Sequence, residues 1–174
     1  STRARKYFMT QESVPWWEPK LGEPVREAVS RVLDDNYIND GPTTRALETR
    51  LAEIAGVAHC TATPSCTVAL AISLMAADIG PGDEVIVPDA TFIATANAVK
   101  LAGGDIRLVD VDRRRLTLDP ERAEAAIGPR TKAMIAVDLN GRGAEYPALE
   151  AVCKEHGLVL ICDSAGALGS RHQG

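Results

Sequence analysis

The stretch Gly82–Val111, "GDEVIVPDATFIATANAVKLAGGDIRLVDV", decides the fold class of this chain. Its first apolar run, Glu84–Val87, has the length and β-branched composition of a buried strand. A segment of small apolar residues with helical spacing follows and ends at Gly103-Gly104, before a second apolar run. Two strands joined through a helix form a βαβ unit, whose strands run parallel.

The same alternation of strand and helix extends from Val57 to Asp163. Further strands are predicted at Val57–Thr63, Thr131–Val137 and Leu158–Asp163, with helices between them, one stopped by Gly80 and one by Gly157. The strands are apolar throughout rather than alternating, which indicates burial on both faces. We therefore predict an α/β fold with a doubly wound, mostly parallel sheet and flanking helices. Upstream, two amphipathic helices are predicted around the loop 36–42.

Composition excludes several functional classes. The 174 residues are 45% apolar and 25% charged, and the net charge of −5 argues against binding to nucleic acid or to a membrane surface. The longest apolar stretch is about half of the ~20 residues that a bilayer requires. The four cysteines form no C-x-x-C pair and no His–Cys cluster with ligand spacing. We expect a cytoplasmic protein with free thiols and without a metal site.

Three segments follow predicted strands, at the edge of the sheet where open α/β folds bind ligands. Ser65 and Thr67 open a helix whose first N–H groups suit a phosphate, although plain helix capping by Thr63 or Ser65 is the favoured explanation of this segment taken alone. Phe92 could stack on a flat ring or pack in the core. Asp163 ends an apolar strand, where it could meet a cation or cap the following turn.

Taken together, these three features fit one cofactor. Pyridoxal phosphate (PLP) requires an anchor for its phosphate, a platform for its ring and a carboxylate that keeps the ring nitrogen protonated. Three separate segments that each supply one of these groups indicate PLP more strongly than any one alone.

The sequence also resembles the DegT/StrS family of sugar aminotransferases, in the aspartate-aminotransferase superfamily. The resemblance covers nearly the whole chain and is carried by "NDGPTTRALETRLAEIAGV", "PSCTVALAISL", "IGPGDEVIVPDATFIATANAV", "GGDIRLVDVD", "IGPRTKAMIAVDLNG" and "CDSAGALGS". It implies the large domain of PLP-transferase fold type I, truncated before its C-terminal portion. Residues 41–174 would be the first part of that PLP-binding domain. Residues 1–40 would be an N-terminal segment with a helix that contacts the small domain or a partner subunit.

The resemblance also implies a set of cofactor contacts: Ser65, Cys66, Thr67, Phe92, Asp163 and Ala165. The first three match the phosphate-binding Ser-Gly-Thr of the family. Phe92 matches its stacking aromatic, and Asp163 matches the partner of the pyridine nitrogen. Ala165 matches the small residue on the opposite face of the ring.

This sequence departs from the family pattern at several positions. Cys66 replaces a glycine and slightly crowds the phosphate loop, and Gly166 stands where many members have glutamine. Asp138 stands where histidine is common, and no role is assigned to it. The family's Schiff-base lysine is expected downstream of Gly174, so we expect no catalytic residue within this chain, which would be inactive alone.

The activity that the resemblance implies is transfer of an amino group from glutamate to a nucleotide-linked keto-sugar, for deoxysugar or polysaccharide biosynthesis. PLP would be the cofactor, pyridoxamine phosphate the intermediate and a homodimer the expected assembly. One alternative is a keto-deoxysugar dehydratase of the same family that uses pyridoxamine phosphate. Another is a non-catalytic fragment or binding module. The sugar, the nucleotide and the position aminated are not determined.

Overall fold

A computed structural model describes residues 18–171, and the chain divides into two compact units, one ending at Leu47 and one beginning at Glu48. In the first unit, α1 (Glu23–Asp34) has a proline in its first turn and Arg31 in its last, both favourable places. Helix α2 (Pro42–Ala55) crosses the division. Helices α1 and α2 are the two predicted upstream helices. The predicted division into domains after residue 40 stays a prediction. Within the described part of the chain, no helix is long and apolar enough to cross a membrane.

The second unit is built on a four-stranded parallel sheet of order β2-β1-β3-β4. Strands and helices alternate, as the sequence pattern predicts. In chain order the elements are α3 (Cys66–Ala76), β1 (Glu84–Pro88), α4 (Ile93–Leu101), β2 (Asp105–Val109), α5 (Pro120–Ala125), β3 (Thr131–Val137), α6 (Tyr146–His156) and β4 (Val159–Asp163).

Apolar clusters cover both faces of this sheet. Helices α3 and α4 pack on one face, where β1 contributes Val85 and Val87. Helices α5 and α6 pack on the other, where β1 contributes Ile86. The inner strands β1 and β3 are buried almost throughout, as the continuous apolar runs predict. The outer strands β2 and β4 of the described sheet are partly exposed.

Two predictions about element boundaries are wrong. Residues 57–63 form no strand, because none of the strands in the described part of the chain lies beside them to complete a hydrogen-bond ladder. Helix α3 ends at Ala76 rather than at Gly80. Asp78 adopts a left-handed conformation (φ 57°), which a short polar side chain tolerates and which a helix cannot continue through. Gly157 does end α6 as predicted, with φ 66°.

The parallel arrangement brings the carboxyl ends of β3 and β4 together. Val137 is in register with Asp163, and the N–H of Asp138 donates to the carbonyl oxygen of Asp163 over 3.0 Å. Two aspartates from neighbouring strands therefore end side by side at the edge where ligands bind in open α/β sheets.

Candidate functional site

The carboxylate of Asp163 is the centre of the site and is only 7% exposed. Its Oδ2 accepts a hydrogen bond from Thr95 Oγ1 over 2.8 Å. Its Oδ1 accepts from the N–H of Ala165 over 3.3 Å and from the thiol of Cys66 over 3.5 Å. None of these donors is charged, and no Lys, Arg or His within residues 18–171 forms an ion pair with Asp163. A carboxylate has about four acceptor positions, so one remains for a cationic donor.

The N-terminus of α3 lies beside that carboxylate and offers an anion site. Ser65 caps the helix, its Oγ accepting from the N–H of Val68 over 3.3 Å. The N–H groups of Cys66 and Thr67 have no hydrogen-bond partner among the described residues. Capping by Ser65 therefore does not exclude anion binding at this helix end. The cap leaves two donors free at the positive end of the helix dipole.

Phe92 is 74% exposed, so the alternative that it packs in the core is wrong. It is the N-cap residue of α4, and its carbonyl oxygen accepts from the N–H of Thr95 over 3.1 Å. Since Thr95 also donates to Asp163, the backbone of Phe92 is joined to the carboxylate through one residue. An exposed aromatic ring in this position is available to stack on a flat ligand.

Ala165 lies in the turn that follows β4, between Ser164 and Gly166, and all three residues are exposed. Its N–H bond to Asp163 means that the simpler interpretation of the aspartate, a cap for the following turn, is also realised. That bond occupies one acceptor position of Oδ1 only. The turn therefore helps to fix the carboxylate and leaves its remaining acceptor positions unused.

Asp138, to which the sequence assigned no role, is the second buried carboxylate at this edge. It is 7% exposed, and its Oδ1 accepts from the N–H of Ala144 over 3.0 Å and from the hydroxyl of Tyr146 over 2.8 Å. Its Oδ2 accepts from Ser164 Oγ over 2.6 Å. Burial and the hydrogen bond to Asp138 raise the pKa of the Tyr146 hydroxyl, which stays a donor at neutral pH. Asp138 thus ties the loop before α6 to the turn after β4.

Comparison with known proteins identifies the family. The profile of the DegT/DnrJ/EryC1/StrS aminotransferase family matches residues 19–174. The chain belongs to this family.

Several solved structures share the fold of this chain. DesV of S. venezuelae, solved with a ketimine intermediate, is 38% identical with a TM-score of 0.81 over 83% of this chain and 39% of its own. An aminotransferase from Psychrobacter cryohalolentis is 36% identical with a TM-score of 0.88, over 92% and 41%. The PLP form of the putative sugar aminotransferase Spr1654 from Streptococcus pneumoniae is 30% identical with a TM-score of 0.85, over 91% and 44%.

These similarities confirm the predicted fold class, the PLP-transferase fold. The chain spans about two fifths of the length of the structures that it matches. The roles of the predicted site residues remain predictions. The structure does place the side chain of Cys66 and the turn of Ala165 against Asp163, with Ser65 and Thr67 next to Cys66 on α3. Phe92 is connected to the same carboxylate through Thr95.

The first testable prediction concerns the reactivity of Cys66. Partial desolvation of its sulfur, the charge of Asp163 and the hydrogen bond to it raise the pKa of the Cys66 thiol to about 11. About one thiol in a thousand is then ionised at pH 8, so iodoacetamide should alkylate Cys66 about 100-fold more slowly than a free cysteine. The rate should rise about tenfold per pH unit until about pH 11, as followed by peptide mass spectrometry.

The variant Asp163→Asn is the matched control for Cys66. It removes the neighbouring charge but keeps the shape, so alkylation should become faster at pH 8. Wild-type Cys66 reacting as fast as glutathione at pH 8 would contradict the contact between the two side chains.

Sequence reasoning missed two residues of this site, Thr95 and Asp138. Asp138 had a visible signal, since it comes directly after an apolar run that forms a strand. Thr95 had none, because it stands in a run of small residues with helical spacing and its partner lies 68 residues away.

Proposed function

We propose that this chain is the N-terminal portion of a PLP-dependent aminotransferase that moves an amino group from glutamate to a nucleotide-linked keto-sugar. The observation that supports it most is Asp163, a buried carboxylate with an open acceptor position and no cationic partner within the described residues. Membership in the family and the PLP form of Spr1654 support the choice of cofactor.

The residues present fit the cofactor. The free N–H groups of Cys66 and Thr67, with the hydroxyls of Ser65 and Thr67, would bind the phosphate at the start of α3. Phe92 would stack on one face of the ring, and Ala165 would leave room on the other. Asp163 would accept a hydrogen bond from the protonated ring nitrogen.

When bound, PLP supplies an electron sink for the carbon from which a proton is removed. The contribution of this chain is electrostatic and geometric. Asp163 holds a proton at the ring nitrogen because the ionised carboxylate stabilises the adjacent positive charge. Its three neutral donors fix its direction while leaving its charge uncompensated, so that a ring cation is the favoured partner. We propose that none of the lysines in this chain forms the covalent bond to the cofactor. We also propose a homodimer, as the resemblance implies.

The test uses the full-length protein that carries this chain. It is saturated with PLP and treated with glutamate that carries a nitrogen isotope label in its amino group. The release of 2-oxoglutarate is measured before a panel of nucleotide-linked keto-sugars is added. The proposal predicts label in the sugar product. Release of 2-oxoglutarate without transfer to any sugar would contradict the sugar substrate, and sugar dehydration without label would indicate the dehydratase. Failure to bind PLP would overturn the proposal.

A further inference from the structure

Thr95 stands out as a buried polar residue next to Asp163. It lies in the first turn of α4, is completely buried, and belongs to the face of the helix that packs on the sheet. Its hydroxyl makes the shortest of the three hydrogen bonds to Asp163, 2.8 Å, against 3.3 Å for the N–H of Ala165. An apolar residue of the same shape would satisfy the packing, so the hydroxyl requires its own explanation.

The direction of the hydrogen bonds around Thr95 follows from counting protons. An ionised carboxylate only accepts, so Thr95 must donate its single hydroxyl proton to Asp163. Thr91 Oγ1 lies 2.9 Å from Thr95 Oγ1, and Thr95 has no second proton to offer. Thr91 is therefore the donor in that contact. The result is a directed chain from the Thr91 hydroxyl to the Thr95 hydroxyl and on to Asp163 Oδ2.

Such a chain strengthens each of its bonds. A hydroxyl that accepts a hydrogen bond becomes a better donor, and the effect is larger in a buried site. The chain also starts next to Phe92, whose carbonyl oxygen is bound by the N–H of Thr95. Thr95 is therefore hydrogen-bonded both to Phe92, predicted to stack on the cofactor ring, and to Asp163, predicted to bind the ring nitrogen.

Resting on the function proposed above, we propose that Thr95 is the positioning residue for the ring-nitrogen interaction, with Thr91 as its donor. Thr95 does not touch the cofactor. It fixes Oδ2 of Asp163, so that the open acceptor position of the carboxylate is held toward a cationic ring nitrogen. Removing the hydroxyl should weaken recognition of that nitrogen specifically, rather than binding of the cofactor as a whole.

The test compares two ligands in the full-length protein. One is PLP, and the other is its deaza analogue, in which a C–H group replaces the ring nitrogen. The preference for PLP, taken as the ratio of the two dissociation constants, reports the interaction at the nitrogen. Loosening of the phosphate or stacking contacts affects both ligands and leaves the ratio unchanged.

Thr95→Val should lower this preference about tenfold, since a hydrogen bond to a charged group is lost. Thr95→Ser keeps the hydroxyl and should retain the wild-type preference. Thr91→Val should lower it less, about threefold, because only the polarisation of Thr95 is lost. Thr117→Val is the matched control. Thr117 is also a buried threonine, and its Oγ1 has no hydrogen-bond partner in the described part of the chain. The ratio of dissociation constants in Thr117→Val should equal that of the wild type.

An unchanged ratio in Thr95→Val would overturn the inference and reduce Thr95 to a packing residue. If Thr95→Val does not fold, Thr91→Val decides, and a wild-type ratio in that variant would likewise overturn the chain of hydroxyls. Failure of the proposed function has a different signature. Wild-type protein would then bind neither ligand, or would bind both equally.

Discussion

Asp163→Asn should lower the rate of amino transfer in the full-length protein by about two to three orders of magnitude. The variant keeps the shape of the side chain. Its amide oxygen can still accept from the N–H of Ala165, and its amide nitrogen can donate to the hydroxyl of Thr95. It removes the negative charge that holds a proton on the ring nitrogen, and with it the electron sink. The rate is measured under single-turnover conditions with saturating PLP and glutamate, so that weaker cofactor binding is separated from slower chemistry.

The stability of Asp163→Asn is its own control. Because Asp163 has no cationic partner within residues 18–171, loss of its charge leaves no opposite charge unpaired. Without cofactor, the unfolding midpoint of the variant should stay close to that of the wild type. Near-normal turnover in a well-folded Asp163→Asn variant would contradict the role given to the carboxylate.

Asp138→Ala should have the opposite signature, a large loss of stability. Three donors converge on this carboxylate, the N–H of Ala144 and the hydroxyls of Tyr146 and Ser164. Alanine removes the acceptor of all three donors. This loss should lower the free energy of unfolding by about 3 kcal/mol. Chemical denaturation monitored by circular dichroism measures this loss.

Asp138→Asn grades the effect. The amide oxygen can still accept at Oδ1, and the amide nitrogen can donate to Ser164, whose hydroxyl also accepts. This variant should lose about 1 kcal/mol. The preference for PLP over its deaza analogue should persist in Asp138→Asn, since the ring nitrogen is assigned to Asp163. If Asp163→Asn and Asp138→Asn lost that preference equally, the assignment of the ring nitrogen to Asp163 alone would be contradicted.

The central part of the fold could be predicted because its strands are buried on both faces. Continuous apolar runs at β1 and β3 and glycines such as Gly157 are local signals that the three-dimensional structure preserves. Residues 57–63 carry the composition of a strand without forming one. A strand depends on a neighbour that local sequence does not specify.

The site was predictable only in part, for a related reason. Asp138 follows an apolar strand and Asp163 ends one, so the two look alike in sequence. Their partners separate them. Asp138 is surrounded by donors from the adjacent loop and turn, whereas Asp163 faces the free N-terminus of α3. The role of Thr95 arises from a contact across 68 residues, which no local pattern encodes.

The most direct measurement is the nitrogen NMR signal of ring-labelled PLP bound to the full-length protein, at a pH where free PLP has lost its ring proton. If Asp163 pairs with the ring nitrogen, the wild type shows a pyridinium signal. The variant Asp163→Asn should lose this signal, and Asp138→Asn should retain it. An unprotonated ring nitrogen in wild-type protein, or a pyridinium signal that survives Asp163→Asn, would contradict the pairing of Asp163 with the cofactor.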